Sequence, residues 1–217
     1  MTTTGILVSD FDGTMTERDF YGLVRARWWA KSQEDPWQDY LAGRLTHFEA
    51  LNRFFARIDC GDDELARLIT TMGLDPALGP AVARLQAAGW EVVIASAGCS
   101  WYIERHLATA GVRATVHANP GSLVPGHGLV MELPRNSPFF DPAIGIGKAA
   151  VVREALQRHP CVAFAGDGPP DHGPALLVPP GRRFARGFLA EKLAREGEAF
   201  QPYACWSAIA DRLLECA

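Results

Sequence analysis

Short apolar runs bounded by turn residues punctuate the chain at Ile6–Phe11, Glu91–Ala95, Val112–Ala118, Cys161–Ala165 and Leu176–Val178, each of a length that suits a buried strand. Between them lie helix-like stretches over Pro76–Ala88, Ser100–Ala110 and Lys148–Gln157, and Gly89 and Gly111 follow the first two as stop signals. Strands that alternate with helices predict an α/β fold, a Rossmann-like parallel sheet with helices on both faces.

One segment breaks this rhythm. From Arg18 to Met72 the patterning is helical throughout: Thr46-His-Phe-Glu49 has the spacing of a capping box, Phe48, Leu51, Phe54, Phe55 and Ile58 follow at helical intervals, and Asp62-Asp-Glu-Leu-Ala66 opens another helix that ends near Gly73. The expected organisation is a core of residues 1–16 and 74–217 with a small helical cap, residues 17–73, inserted after the first strand as a lid. The same helices would otherwise extend a single core. Gly and Pro crowd the stretch Asn119–Gly147, which predicts a hairpin or excursion around Leu129–Leu133, and Phe184–Ala217 reads as two helices joined by a turn at Gln201-Pro202.

Composition narrows the function classes. A length of 217 residues suits one substantial core with or without an insertion, and a formal charge of -4 without a dense Lys/Arg cluster argues against a nucleic-acid surface. No apolar run approaches the ~20 residues that span a bilayer, and Met1-Thr-Thr-Thr-Gly5 lacks a basic segment followed by an apolar one. A soluble cytoplasmic protein is therefore the default expectation. Cys60, Cys99, Cys161, Cys205 and Cys216 are scattered singly, without zinc spacing, and read as reduced thiols.

Ligands of open parallel sheets bind outside the carboxyl ends of the strands, where the unusual residues of this chain fall. If the extended backbone persists through Phe11, Asp10 and Asp12 point to one side, where an oxygen-only pair suits Mg²⁺; the plain alternative is a polar turn at Asp12-Gly13. Gly166-Asp-Gly-Pro-Pro-Asp171 places Asp167 at a second strand end, with Asp171 as a supporting partner. Ser96-Ala-Gly98 reads either as an anion-binding loop at a helix start or as an ordinary cap. Lys148 stands in a first helical turn, where the dipole disfavours a cation, so it is either a surface lysine or the partner of a buried anion. His47, His106, His117, His127, His159 and His172 have no metal-ligand spacing and read as surface or structural residues. Trp28, Trp29, Trp37, Phe48, Phe54 and Phe55 are expected mostly inside the cap, with one or two facing a substrate; Arg18, Asp19 and Arg44 are either solvated charges or specificity residues.

Taken in order, Asp10-Phe-Asp-Gly-Thr14, Ser96, Lys148 and Gly166-Asp-Gly-x-x-Asp171 resemble the four motifs of the haloacid dehalogenase (HAD) superfamily of phosphohydrolases, over nearly the whole chain. The resemblance implies that Asp10 attacks phosphorus to form an aspartyl-phosphate, and that Asp12 protonates the leaving alcohol and later deprotonates water. It implies Mg²⁺ held by the Asp10 carboxylate, the Asp12 carbonyl and Asp167, with Asp171 in support. Ser96, Ala97, Lys148 and Thr14 would face the phosphoryl group. An acid at position 12 favours phosphate transfer over dehalogenation.

The helical cap is similar to that of the phosphoserine phosphatase-like branch. Within that branch Asp10-Phe-Asp-Gly-Thr-Met-Thr16, His117-Ala-Asn119, Gly145-Ile-Gly-Lys-Ala-Ala-Val-Val152 and Phe184-Ala-Arg-Gly-Phe-Leu189 resemble the methionine-salvage phosphatases, which act on 2-hydroxy-3-keto-5-methylthiopentenyl 1-phosphate. The expected partner is a small phosphorylated metabolite. Departures include Ser-Ala-Gly at the second motif and the prolines at 169 and 170. Phosphoserine or another small ester as substrate, a phosphoacceptor signalling module, and a non-catalytic binding protein remain alternatives.

Overall fold

The computed structural model describes residues 3–30 and 32–215; Cys216, counted among the thiols above, lies outside them. Among the described residues ten strands occur in chain order: β1 (Gly5–Ser9), β2 (Trp90–Cys99), β3 (Thr115–Asn119), the hairpin β4 (Gly121–Val124) and β5 (Gly128–Met131), the short pair β6 (Phe140–Asp141) and β7 (Gly145–Ile146), then β8 (Val162–Gly166), β9 (Arg183–Ala185) and β10 (Gln201–Pro202). Six of them form one parallel sheet in the order β10-β9-β8-β1-β2-β3, as the alternating pattern predicts.

Alternation along the strands divides the apolar residues between two faces. Leu7, Val92, Ile94, Ala163 and Ala165 pack with helices 78–87, 100–109 and 206–215. Ile6, Val8, Val93, Val162 and Phe164 pack with helices 148–158 and 187–196. β1 lies between β2 and β8, so both its faces are buried and its sequence is apolar at every position from Ile6 to Val8.

Residues 17–73 leave and rejoin the core at one point: Thr16 bridges Leu74, and the N–H groups of Glu17 and Arg18 donate to the carbonyls of Gly73 (2.9 Å) and Met72 (3.0 Å). Between these ends the described residues form only helices and turns. Helix His47–Phe55 begins with the expected capping box, Glu49 N–H donating to Thr46 Oγ1 at 3.1 Å while Thr46 N–H donates to Glu49 Oε2 at 2.8 Å. The apolar residues of the segment share the core of the sheet: Phe20, Phe54, Phe55 and Leu65 belong to the cluster that contains Leu7 and Ile94. The segment also docks on the excursion 119–147, through Phe48 N–H to Ala143 O (2.9 Å) and Met131 N–H to Asn52 Oδ1 (3.1 Å).

Two boundaries differ from the pattern. Leu176–Val178 is not a strand: Leu176 ends the short helix His172–Leu176, and Pro179-Pro180, without N–H groups to enter a ladder, follow Val178. Sheet pairing resumes instead at Arg183, a buried charge whose guanidinium donates to Ala175 O, Val178 O, Ala199 O and Glu198. Gln201-Pro202 is an edge strand beside β9, a place where proline is tolerated.

The capping box makes a direct prediction. Thr46→Ala leaves the first turn of helix 47–55 without its side-chain acceptor and should lower stability by about 1 kcal/mol. Urea unfolding measures it, and an unchanged midpoint would count against the cap.

Candidate active site

Two strand ends and one helix start converge on a single buried point. Asp10 follows β1, its N–H donating to Ala165 O at 2.9 Å so that the backbone stays aligned with β8. Lys148 is the first residue of helix 148–158, and its Nζ lies 2.8 Å from Asp10 Oδ1 and 2.6 Å from Asp171 Oδ1. Its side chain is 3% exposed, so of the two expectations for this lysine the buried-anion partner holds. Asp171 ends a 3₁₀ turn, Pro169–Asp171, and its second oxygen accepts from Asp167 N–H (3.0 Å) and Gly168 N–H (2.9 Å). The two prolines that set the loop apart in the sequence thus fix φ in the turn that delivers Asp171.

Carboxylate oxygens of Asp10, Asp167 and Asp171 all lie within 4.8 Å of one another. Thr14 stands behind this cluster, donating to Asp167 Oδ1 at 2.7 Å. Gly13 has φ 65°, and a Cβ there would sit 2.3 Å from Asp167 Oδ2, so the turn after β1 admits only glycine at close range.

One ammonium faces three carboxylates. Burial and then the Asp171 charge raise Asp10 well above the usual carboxylate range, with Lys148 opposing. Burial, Asp171 and Asp19 push Asp167 up to about 8, against the Thr14 hydrogen bond. For Lys148 burial acts downward, but Asp10 and Asp171 outweigh it and hold the ammonium charged. The excess negative charge and the oxygen-only donor set fit a hard divalent cation.

Asp12 is held apart from this cluster. Its Oδ2 accepts from Tyr102 OH at 2.6 Å and its Oδ1 from Phe20 N–H at 2.9 Å, at the start of the helical segment. Burial and then Asp19 push it up to about 7, while those two hydrogen bonds act downward. The Asp12 side chain is therefore not among the acidic oxygens that gather around Asp10, which are those of Asp167 and Asp171; β1 stops at Ser9 and a turn begins at Asp12. A carboxyl group that titrates near neutrality can both give and take a proton.

The Ser96 loop also differs from expectation. Ser96-Ala-Gly98 is a bulged extension of β2, with a register shift between Ala95 and Cys99, and helix 100–109 starts only after Cys99. Gly98 N–H is not free, since it donates to Ser96 Oγ at 3.0 Å. Ser96 and Ala97 nevertheless line the same cavity as Asp10, Asp12, Lys148 and Asp167.

That cavity encloses about 370 Å³, and residues 17–73 supply Asp19, Tyr21, Trp37, His47, Leu51 and Phe55 to its wall. Of the six aromatic residues expected in the cap, Trp37 and Phe55 face the cavity, whereas Trp29 is in the core with its indole N–H on Phe54 O. Of the three candidate charges only Asp19 is there; Arg18 is exposed and Arg44 pairs with Asp39 at the surface. His172 pairs with Glu196. Cys99 is buried, and burial pushes its thiol up to about 12, which makes it inert filler.

Sequence reasoning missed Tyr102, His47 and Phe188. Tyr102 sits among helix-forming residues with nothing to distinguish it, and His47 is hidden inside a capping box.

The profile of the haloacid dehalogenase-like hydrolases matches residues 7–175. The chain belongs to that family. No curated protein matches it. Among solved structures, this HAD-like chain is similar to a HAD-family hydrolase from Salmonella enterica serovar Typhi, with TM-score 0.69, 18% identity, and coverage of 93% of this chain and 67% of that one. It also resembles a phospho-aspartyl intermediate analogue of phosphoserine phosphatase (TM-score 0.66, 14% identity, 97% and 99% covered) and a substrate-bound phosphoserine phosphatase complex (0.65, 13%, 100% and 99%). At these identities the likeness is one of fold. Among the described residues no helix is long and apolar enough to cross a membrane.

His47 gives this HAD-like chain a pH signature. Burial, then the Lys148 charge, lower it from 6.5 to about 4, so between those pH values the unfolded chain binds a proton that the folded chain does not. Its contribution to stability is complete above pH 6.5 and is lost as pH falls to about 4. Compared with His47→Phe, the wild-type protein should lose up to about 3 kcal/mol more over that window in unfolding titrations. Parallel pH profiles would contradict it.

Proposed function

We propose that this protein is a Mg²⁺-dependent phosphatase that hydrolyses a small phosphorylated metabolite through an aspartyl-phosphate on Asp10. The observation that carries the reading is the buried cluster in which Lys148 meets Asp10 and Asp171 with Asp167 alongside, next to a separate carboxyl group, Asp12, held by Tyr102 OH and Phe20 N–H.

Asp10 is the nucleophile, and Asp12 gives its proton to the leaving oxygen and later takes one from water. Lys148 opposes the burial that raises Asp10 and, with Ser96 and the Ala97 N–H, meets the phosphoryl oxygens. Thr14 acts from behind by fixing Asp167, one step removed from the phosphate-facing role that the motif implies. Asp10, Asp167 and the Asp12 carbonyl would hold the metal, and Asp171 would position Asp167 and Lys148. When bound, Mg²⁺ supplies charge neutralisation for the phosphoryl group and the carboxylates. Tyr102 is a positioning residue that orients Asp12 across the mouth of helix 100–109. Residues 17–73 form a lid that closes the cavity over the ester.

For the substrate, the sequence likeness at His117–Asn119, Gly145–Val152 and Phe184–Leu189 favours the methionine-salvage enol phosphate. Phosphoserine is the second reading, favoured by the fold of the phosphoserine phosphatases named above. The four described cysteines are free thiols, in keeping with work in a reducing cytoplasm.

Phosphate release from a panel of small esters tests the chemistry. Turnover should require Mg²⁺, stop in excess chelator and be abolished in Asp10→Asn. Turnover that survives chelation or Asp10→Asn would sink the mechanism.

Asp12→Asn should slow alkyl phosphates by about 10²–10⁴-fold and p-nitrophenyl phosphate much less, because nitrophenolate leaves without a proton. Equal losses on both esters would remove Asp12 from the acid role.

A further inference from the structure

The end of β3 carries a buried side chain that neither the carboxylate cluster nor the helical segment uses. Asn119 is 0% exposed at the last position of that strand and pairs with Cys99 across the bulge of β2. Its Nδ2 donates both protons, to Ala97 O at 2.8 Å and to Ile144 O at 3.1 Å. Only an –NH₂ group can meet two carbonyl oxygens in this way, which fixes the orientation of the carboxamide. Oδ1, turned the other way, has no hydrogen-bond partner among the described residues. It abuts Gly145, where φ is 85° and a Cβ would stand 1.8 Å from it. A buried acceptor left unpaired opposes folding, so it is the amide end that gives this residue its place.

The two carbonyls belong to loops that reach the cavity from different directions. Ala97 lies in the bulge that lines the cavity beside Ser96. Ile144 stands four positions before Lys148, in a turn closed by Asp141 Oδ1, which accepts from Ala143 N–H (2.8 Å) and Ile144 N–H (3.3 Å). The other hydrogen bonds of this turn stay within the excursion 119–147, enter helix 148–158 or come from Phe48 N–H. Among the described residues Asn119 is therefore the one hydrogen-bonded tie between the bulge and the turn that leads to Lys148.

We propose that Asn119 is a positioning residue for the phosphoryl pocket: its carboxamide, bound to the Ala97 and Ile144 carbonyls at once, sets how far the Ala97 N–H stands from Lys148. The inference rests on the phosphatase reading and gives the His117–Asn119 stretch a physical role. A planar –NH₂ group has two fixed N–H directions, so neither carbonyl moves without the other. During transfer the phosphoryl group flattens between two axial oxygens, and donors held at a set separation favour that shape over the tetrahedral ester or product.

Calorimetric binding of two anions in the presence of Mg²⁺ reads this apart from turnover: inorganic phosphate, which is tetrahedral, and orthovanadate, which takes up five-coordinate geometry. Asn119→Ser leaves space for water to hydrate both carbonyls, and Asn119→Asp keeps the shape but turns an oxygen toward them. Each variant should bind orthovanadate about 10- to 100-fold more weakly than the wild type, and phosphate less than about 3-fold more weakly. In ester hydrolysis the same split is a fall in kcat with KM nearly unchanged. Gly145→Ala, which drives a methyl group against Oδ1, should reproduce the split from the other side of the clamp. The role fails if both anions weaken equally, as they would if the variants merely loosened the fold, or if neither weakens. Should Asn119→Asp not fold, Asn119→Ser and Gly145→Ala decide. If esters are hydrolysed but the variants lack the split, the hydrolytic reading stands and the role of Asn119 falls. If the split is found but no ester releases phosphate, the clamp on the anion pocket stands and the hydrolytic reading falls. A wild-type protein that binds neither anion and releases no phosphate overturns both.

Discussion

A single buried ammonium facing too many carboxylates is the constraint on which the structure turns. Lys148 cannot neutralise Asp10, Asp167 and Asp171 together, so other interactions hold them in place: two backbone N–H groups on Asp171, the Thr14 hydroxyl on Asp167, and the ladder contact of Asp10 with β8. These restraints come from the ends of two neighbouring strands, β1 and β8, and the parallel sheet is what brings those ends together. Arranged in this way, like charges destabilise the polypeptide alone but prepare it for cationic and phosphoryl ligands. Replacing such a cluster with apolar residues would often favour stability, which makes its retention a mark of function rather than of folding.

Asp12 illustrates how environment separates two aspartates only two residues apart. Asp10 is locked to a charge, while Asp12 is handed to neutral donors, the Tyr102 hydroxyl and the Phe20 amide. The Phe20 amide belongs to the inserted helical segment and Tyr102 to the sheet-bound helix after β2, so the Asp12 carboxylate is shared by both parts of the molecule. A change in the position of the segment would be felt at Asp12 before it reached Asp10.

Much of this was legible in the sequence, for identifiable reasons. β1 and β8 are buried on both faces and so read as unbroken apolar runs, and the residues after them stood out because charge and glycine follow such runs abruptly. Lys148 was visible as a cation at the wrong end of a helix. β9 was not visible, because its first residue is an arginine whose burial depends on carbonyls gathered from three other segments. Tyr102 and His47 were equally hidden: a side chain on a helix shows its spacing in the sequence but not the direction of its hydroxyl or ring nitrogen. The bulge at Ser96–Gly98 escaped notice because pairing between Cys99 and Asn119 across β2 and β3 is not a local property.

The first strand is also tied to the far side of the chain. Trp206 donates its indole N–H to Ser9 Oγ at 2.9 Å, and the Arg186 guanidinium donates to Gly13 O at 2.6 Å and to Thr16 O, with its charge over the Tyr203 ring. Ser9 and Trp206 are 197 positions apart. At a ribosomal pace of about 5–20 residues per second, the strand that precedes Asp10 emerges roughly 10–40 seconds before the tryptophan that braces it. Through that interval a nascent chain holds Asp10 without the brace on the strand before it, so this end of the sheet is locked only once synthesis has passed Trp206.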